Sequence, residues 1–120
     1  MSRHRQTDPE GFIPLTPAVF EILLALADGE RHGYAIMGDV RERTGGRITL
    51  RPGTLYRAIS RLLEDGLIVE MSERPAADED DERRRYYALT VLGRRVAAAE
   101  AARMAELVRS AHAKALIDRV

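Results

Sequence analysis

The sequence predicts a mainly helical domain with one small β-hairpin, followed by a long C-terminal helix. Three observations predict it. Before residue 66, apolar side chains recur at helical spacing in three separate segments. Two short stretches rich in strand formers, 67–72 and 84–89, flank a polar insert. From Thr90 onward the chain is rich in alanine and carries a heptad-like seam of mostly small side chains. A length of 120 residues fits one domain, and a composition 45% hydrophobic and 32% charged fits a globular chain with a large solvated surface.

Residues 1–13 are polar and aperiodic and are expected to form a flexible N-terminal arm, in which Arg3, His4 and Arg5 can touch a phosphate backbone. Thr16-Pro17 has the form of an N-cap followed by proline at the first helical position, where a missing N–H has no intrahelical partner anyway. The run Val19 to Ala27 is apolar nearly all round, so the first helix should be buried, and Asp28-Gly29 closes it. A second helix is expected from Gly33 to Thr44, with Tyr34, Ile36, Met37 and Val40 on its inner stripe and Gly45-Gly46 as its stop. His32 and Tyr34 can be read as phosphate contacts or as packing residues with a polar tip; amphipathic rings usually bury their bodies, which favours packing. Arg47 to Arg51 alternates and reads as a short strand.

The third helix organises the rest. Leu55, Ile59, Leu62 and Leu63 fall at i, i+4, i+7 and i+8 and make one apolar stripe. The opposite face carries Thr54, Arg57, Ser60 and Arg61, and Tyr56 borders it. Pro52 suits the first turn, and Gly66 stands where a left-handed residue ends a helix. Such a face has the chemistry of a major-groove reader, because guanidinium forks grip guanine edges or phosphates and hydroxyls serve either. An ordinary solvated face looks the same in isolation, so the neighbouring elements decide.

The first strand of the hairpin is expected over Leu67–Ser72 and the second over Arg84–Leu89, with an acidic tip over 73–82 that should point away from DNA. Arg83, Arg84 and Arg85 at its base suit backbone phosphate. Thr90 can cap the last helix, whose seam runs through Ala97, Ala101, Met104, Val108, Ala111 and Ala115. A helix this long cannot bury its seam on so small a domain, and the simplest partner is a second copy. Helix, helix, strand, helix and hairpin in that order is the winged helix-turn-helix plan. We therefore divide the chain into an arm (1–13), a winged helix-turn-helix domain (14–90) and a dimerisation helix (91–120).

Net charge is zero, with 19 basic and 19 acidic residues, yet the distribution is uneven. Arg41, Arg43, Arg47, Arg51, Arg57 and Arg61 face only Glu42 within 41–61, a local charge of +5. Six acids face only Arg74 within 73–82, a local charge of −5. Segregation of this kind creates a field that the total conceals. With no cysteine and with His4, His32 and His112 far apart, neither disulfide nor metal site is expected. No apolar run approaches the roughly 18 residues of a membrane span, and no secretory leader is recognisable, so a cytoplasmic protein is expected. No nucleophile stands near a plausible base in any motif, so the chain does not read as an enzyme, and no cofactor is expected.

His32-Gly33-Tyr34-Ala35-Ile36, the run Gly53 to Leu62, Asp65-Gly66-Leu67-Ile68 and Arg85 to Arg94 together resemble the PadR family of transcriptional regulators. The resemblance covers about Leu15 to Arg95 and rests on four blocks in order and spacing. It implies a homodimeric winged-helix repressor whose third helix enters the major groove of a double-stranded operator, whose wing meets the minor groove or backbone, and whose C-terminal helix dimerises. It also implies phosphate contact by Tyr56, beside the candidate DNA contacts that chemistry and position supply: Arg47, Arg51, Thr54, Arg57, Ser60, Arg61, Arg83, Arg84, Arg85 and Tyr34. Small aromatic effectors relieve repression in several members; here Phe12, Phe20 and Met104, at the junction of the first helix with the partner's C-terminal helix, are the apolar residues for such a site. The alternative, favoured because nothing polar converges there to orient a ligand, is that the junction is solid core. The acidic wing tip and the absence of tryptophan depart from the family's pattern. The alternative reading is a winged-helix protein-interaction module, against which the +5 segment argues, since protein interfaces are depleted of charge at their core.

Overall fold

A computed structural model of the chain describes residues 6–71 and 85–118. Arg3, His4, Arg5, Ser72, the acidic stretch 73–82, Arg83 and Arg84 lie outside the described residues. The order is a 3-10 turn at Pro9–Phe12, α1 Pro17–Leu26, β1 Arg31–His32, α2 Gly33–Arg43, α3 Pro52–Glu64, β2 Ile68–Met71, β3 Tyr86–Leu89 and α4 Val91–Ala113. The strands form one antiparallel sheet in the order β1-β3-β2, with Arg31 opposite Tyr87 and Met71 opposite Tyr86.

The helix starts follow local chemistry. Thr16 accepts from the Val19 N–H at 3.2 Å, and Thr90 accepts from the Gly93 N–H at 2.9 Å. Pro17 and Pro52 open α1 and α3. The ends of α2 and α3 share one device. Gly45 and Gly66 take φ of 63° and 79°, and the following N–H groups reach back to the carbonyls of Arg41 and Leu62.

The core gathers Ile22, Leu23, Ala25 and Leu26 of α1, Ile36 and Val40 of α2, Leu55, Ile59 and Leu62 of α3, and Val96 of α4 around Leu67, Ile68 and Tyr87. The stripe that α3 supplies is the one its spacing dictates. Leu67 precedes its strand rather than opening it. Its carbonyl accepts from both the N–H and the hydroxyl of Thr90, at 3.0 Å each, and a Cβ on Gly93 would strike that same oxygen. The end of α3 is thereby locked to the start of α4.

Three expectations need correction. Residues 47–51 form no strand: Ile48 and Leu50 turn inward between exposed Arg47, Thr49 and Arg51, but β3 already has β1 on one edge and β2 on the other. The alternation there records burial, not a ladder. The described part of the expected N-terminal arm is folded, with a turn capped by Asp8 and with Phe12 and Ile13 packed on the core. Finally, α4 stops at Ala113, so Ala115 lies outside the helix, with φ of 63°.

Candidate nucleic-acid interface

The outer face of α3 is built by the helix that supplies the core. Leu55, Ile59 and Leu62 are buried, so geometry turns Thr54, Tyr56, Arg57, Ser60 and Arg61 outward, and all five are exposed. Arg47 and Arg51, on the segment leading into α3, are exposed as well. Arg85, also exposed, stands at the described edge of the wing and reaches Glu70 at 3.7 Å.

The arginines of the positive stretch divide into two groups. Arg43 is taken up inside the domain: it donates to Glu21 at 2.7 Å and to Asp39 at 2.9 Å and braces α2 against α1. Arg61 reaches its own helix neighbour Asp65 at 3.8 Å. Arg41, Arg47, Arg51 and Arg57 make no ion pair with any described residue. The local excess of positive charge is therefore carried mainly by four side chains, Arg41 on α2, Arg47 and Arg51 on the connecting segment and Arg57 on α3, not by all six.

His32 and Tyr34, paired in the sequence reading, part company. His32 is structural: its Nδ1 accepts from the Ala35 N–H at 3.2 Å, capping α2, and its ring meets Tyr86 edge-on at 5.3 Å. Tyr34 is 67% exposed, so the packing role favoured for it does not hold. It belongs to the first turn of α2, where no neighbouring element covers its ring. Tyr56 takes both positions at once. It is 39% exposed, yet its hydroxyl lies over Gly33, where a Cβ would collide with it. Burial, and then the neighbouring Tyr34, push its phenol above the ordinary value. Only glycine at 33 allows the ring of α3 to rest on the first turn of α2.

One group escaped sequence reasoning. Glu100 is fully buried on α4. Arg103 donates to it through two nitrogens, at 2.9 and 2.7 Å, and a backbone hydrogen bond from Leu15 completes the set. The Arg103 hydrogen bond leads in holding its carboxyl below the usual range, against the opposing effect of burial. Glu100 is thus the post to which the segment before α1 is tied. Its periodic position on α4, next to Val96 and Ala97, was the available signal.

The seam foreseen on α4 is split. Ala97 packs into its own core, Met104 and Ala111 are half-buried, and Ala101 and Val108 are exposed. Leu107, Leu116 and Ile117 add exposed apolar surface that the seam did not include. Phe12, Phe20 and Met104 are each half-buried; Phe12 lines a groove against α3 that neither Phe20 nor Met104 reaches. Among the described residues no helix is long and apolar enough to cross a membrane, and no group of three or more His, Asp or Glu side chains is placed to hold a metal ion.

Residues 22–99 match the family model described as the transcriptional regulator PadR-like family. An uncharacterised 37.1 kDa protein in transposon TN4556 of Streptomyces fradiae is 39% identical over 99 residues, which is 82% of this chain. The chain spans only 26% of that protein's length. Among solved structures, a PadR family transcription regulator from hypervirulent Clostridium difficile R20291 superposes with a TM-score of 0.66 at 25% identity, over 82% of this chain and 97% of that one. Bacillus subtilis PadR, determined in complex with operator DNA, shares the fold with a TM-score of 0.55 at 23% identity, over 66% of this chain and 43% of that one. The order of elements, the buried stripe of α3 and the matched residues agree: the chain belongs to the PadR-like family of transcriptional regulators.

Proposed function

We propose that the chain is a sequence-specific, homodimeric DNA-binding repressor. The observation that carries this reading is the outer face of α3, where Thr54, Arg57, Ser60 and Arg61 stand exposed on a helix whose other face is anchored in the core. Arginine forks and hydroxyls on a rigid helix are the groups that read base edges in the major groove. Arg47, Arg51 and Tyr34, with Arg85 and the undescribed Arg83 and Arg84 of the wing, are assigned to phosphate. Tyr56, part-exposed on the same side, is assigned to phosphate as well, as a hydroxyl donor. Bacillus subtilis PadR, which shares this fold, is crystallised on operator DNA, and that supports reading the chain as DNA-binding.

Dimerisation is assigned to α4 beyond Glu100, through Ala101, Met104, Val108 and Ala111 together with Leu107. Repression then follows from occupancy, since a dimer seated across two half-sites covers the DNA between them. A small aromatic effector that relieves it would have to bind one dimer geometry better than another. Selection of bound sequences from random duplex DNA tests the reading. Enrichment of an inverted repeat with half-sites about one helical turn apart is the expected result; an unenriched pool would refute specific recognition.

A further inference from the structure

A slot of about 270 Å³ runs along α2, smaller than the roughly 300–1,000 Å³ of typical small-ligand sites. One side is a single helix face, Tyr34, Met37, Gly38 and Arg41, at i, i+3, i+4 and i+7. The other side is Thr49 and Leu50 of the segment leading into α3. Gly38 is the low point of the helix face. Glycine inside a helix weakens it relative to alanine, so its place there calls for a reason. Gly33 and Gly93 have theirs in the Tyr56 hydroxyl and the Leu67 carbonyl. A Cβ on Gly38 would meet nothing within 4 Å, and its backbone is not left-handed. No described neighbour requires glycine at 38; a body from outside that comes close to the helix backbone would. Charge indicates which body. Arg41 is exposed and makes no ion pair with a described residue, while Asp39 of the same helix is held by Arg31 and Arg43. A free guanidinium facing the exposed hydroxyl of Thr49 suits a phosphate oxygen, whereas an apolar partner would bury that charge unpaired.

We propose that this slot seats a stretch of DNA backbone, with Gly38 admitting sugar and phosphate close to α2 and with Arg41 and Thr49 binding the phosphate. The seat rests on the DNA-binding reading and extends it to three residues that carry none of its assigned contacts. Position supports it. Thr49 stands between Arg47 and Arg51, and Tyr34 follows Gly33, where the Tyr56 hydroxyl rests, so the slot adjoins the side chains already assigned to phosphate. Tyr34 and Arg41, seven residues apart, span about 10 Å along the helix, so each can hold its own point on one strand. On the other side of Gly38 a second groove carries Asp39 and Glu42 beside Arg31. Those two carboxylates repel phosphate and confine the backbone to the Thr49 side.

The test compares the full chain with its Gly38→Ala, Arg41→Gln and Glu42→Gln variants, in thermal unfolding and in titrations with selected operator and with random duplex DNA. Gly38→Ala should raise the thermal midpoint by a few degrees, because alanine is the better helix former and the added methyl has open space. The same variant should bind both DNAs about tenfold more weakly, as a methyl group placed against a close-packed backbone would require. This opposition of stability and affinity is the signature of a glycine kept for an outside partner. Arg41→Gln should lower the slope of log affinity against log salt by about 2 for a dimer. Glu42→Gln should bind DNA at least as tightly as the wild type. A Gly38→Ala chain that binds DNA as well as the wild type, or that loses affinity and stability together, would overturn the seat. So would a salt slope indifferent to Arg41, or weaker binding by Glu42→Gln. A wild-type chain that binds neither DNA would refute the DNA-binding reading itself, whereas one that binds and tolerates Gly38→Ala refutes the seat alone.

Discussion

The exposed face of α3 and the exposed end of α4 are both parts of helices anchored in the same core, yet they present opposite chemistry. On α3 the solvent side carries guanidinium and hydroxyl groups, which water solvates well. On α4 beyond Glu100 it carries Leu107, 56% exposed, and Val108, 38% exposed, with Leu116 and Ile117 just past the helix end. Apolar area left in water costs about 25 cal/mol per Å², whereas a charged face costs little. The first face is stable alone and waits for an anion; the second lowers its free energy by being covered. These are the faces proposed above to meet a polyanion and a second copy of the chain.

The largest expected effect breaks the second face. Ala101→Glu, or Val108→Asp, places a charge in the contact assigned to a second copy, and burying it unpaired should weaken dimerisation by about 3–5 kcal/mol. Sedimentation at micromolar concentration checks this; a wild-type monomer would remove the role given to α4. The next effect lies on the first face. Arg57→Ala should cost roughly 1–3 kcal/mol on the selected operator and much less on random DNA. Arg47→Ala should weaken both alike, as a phosphate contact does. Competition titrations with the two DNAs separate the roles, and equal losses for both variants would erase the distinction.

Between the faces stands Glu100, which ties the segment flanking α3 to the base of α4. Its folded-state carboxyl lies below the ordinary value, so its stabilisation is fully present above the unfolded carboxylate pKa and is lost as pH falls through the lower folded one. Glu100→Gln should cost about 1–3 kcal/mol near neutral pH, because the Leu15 N–H and Arg103 lose an ionised acceptor. It should also flatten the acid limb of a stability–pH curve measured in urea. An unchanged acid limb would mean that other carboxylates set it.

The smallest effect compares helix ends. The left-handed residue closing α2 and α3 is glycine, but Ala115 occupies the same position after α4, where the Leu116 N–H still reaches the Ala111 carbonyl at 2.9 Å. Ala115→Gly should therefore relieve up to about 1 kcal/mol of backbone strain. Hydrogen exchange of the last turn of α4 is the sensitive readout.

What the sequence made legible was local. Thr16, Pro17, Pro52, Gly66 and Thr90 announce helix ends because caps depend on residues three or four positions away. The stripe of α3 was legible because a helix repeats its own geometry. What escaped was set by distant partners. β1 is two residues long and exists only because Tyr86 and Tyr87 of β3 pair with it. The alternation at Ile48 and Leu50 found no such partner. Gly33 acquires its meaning from the Tyr56 hydroxyl of another helix. Glu100 was passed over because a charged residue in an alanine-rich helix is assigned to solvent until a second charge and a backbone donor are seen beside it. Ala115 was counted as helical because it continues the heptad-like spacing of the seam, which does not register where the helix ends.

The DNA-binding reading stands on the assignment of the exposed arginines beside and on α3 to phosphate and bases. Its most direct test is the salt dependence of operator binding. If a dimer makes 6–10 phosphate contacts, affinity should fall about 10³–10⁵-fold between 50 and 200 mM salt, and Arg47→Ala in both subunits should lower the slope of log affinity against log salt by about 2. An affinity that barely changes over that range, or a slope indifferent to Arg47, would contradict it.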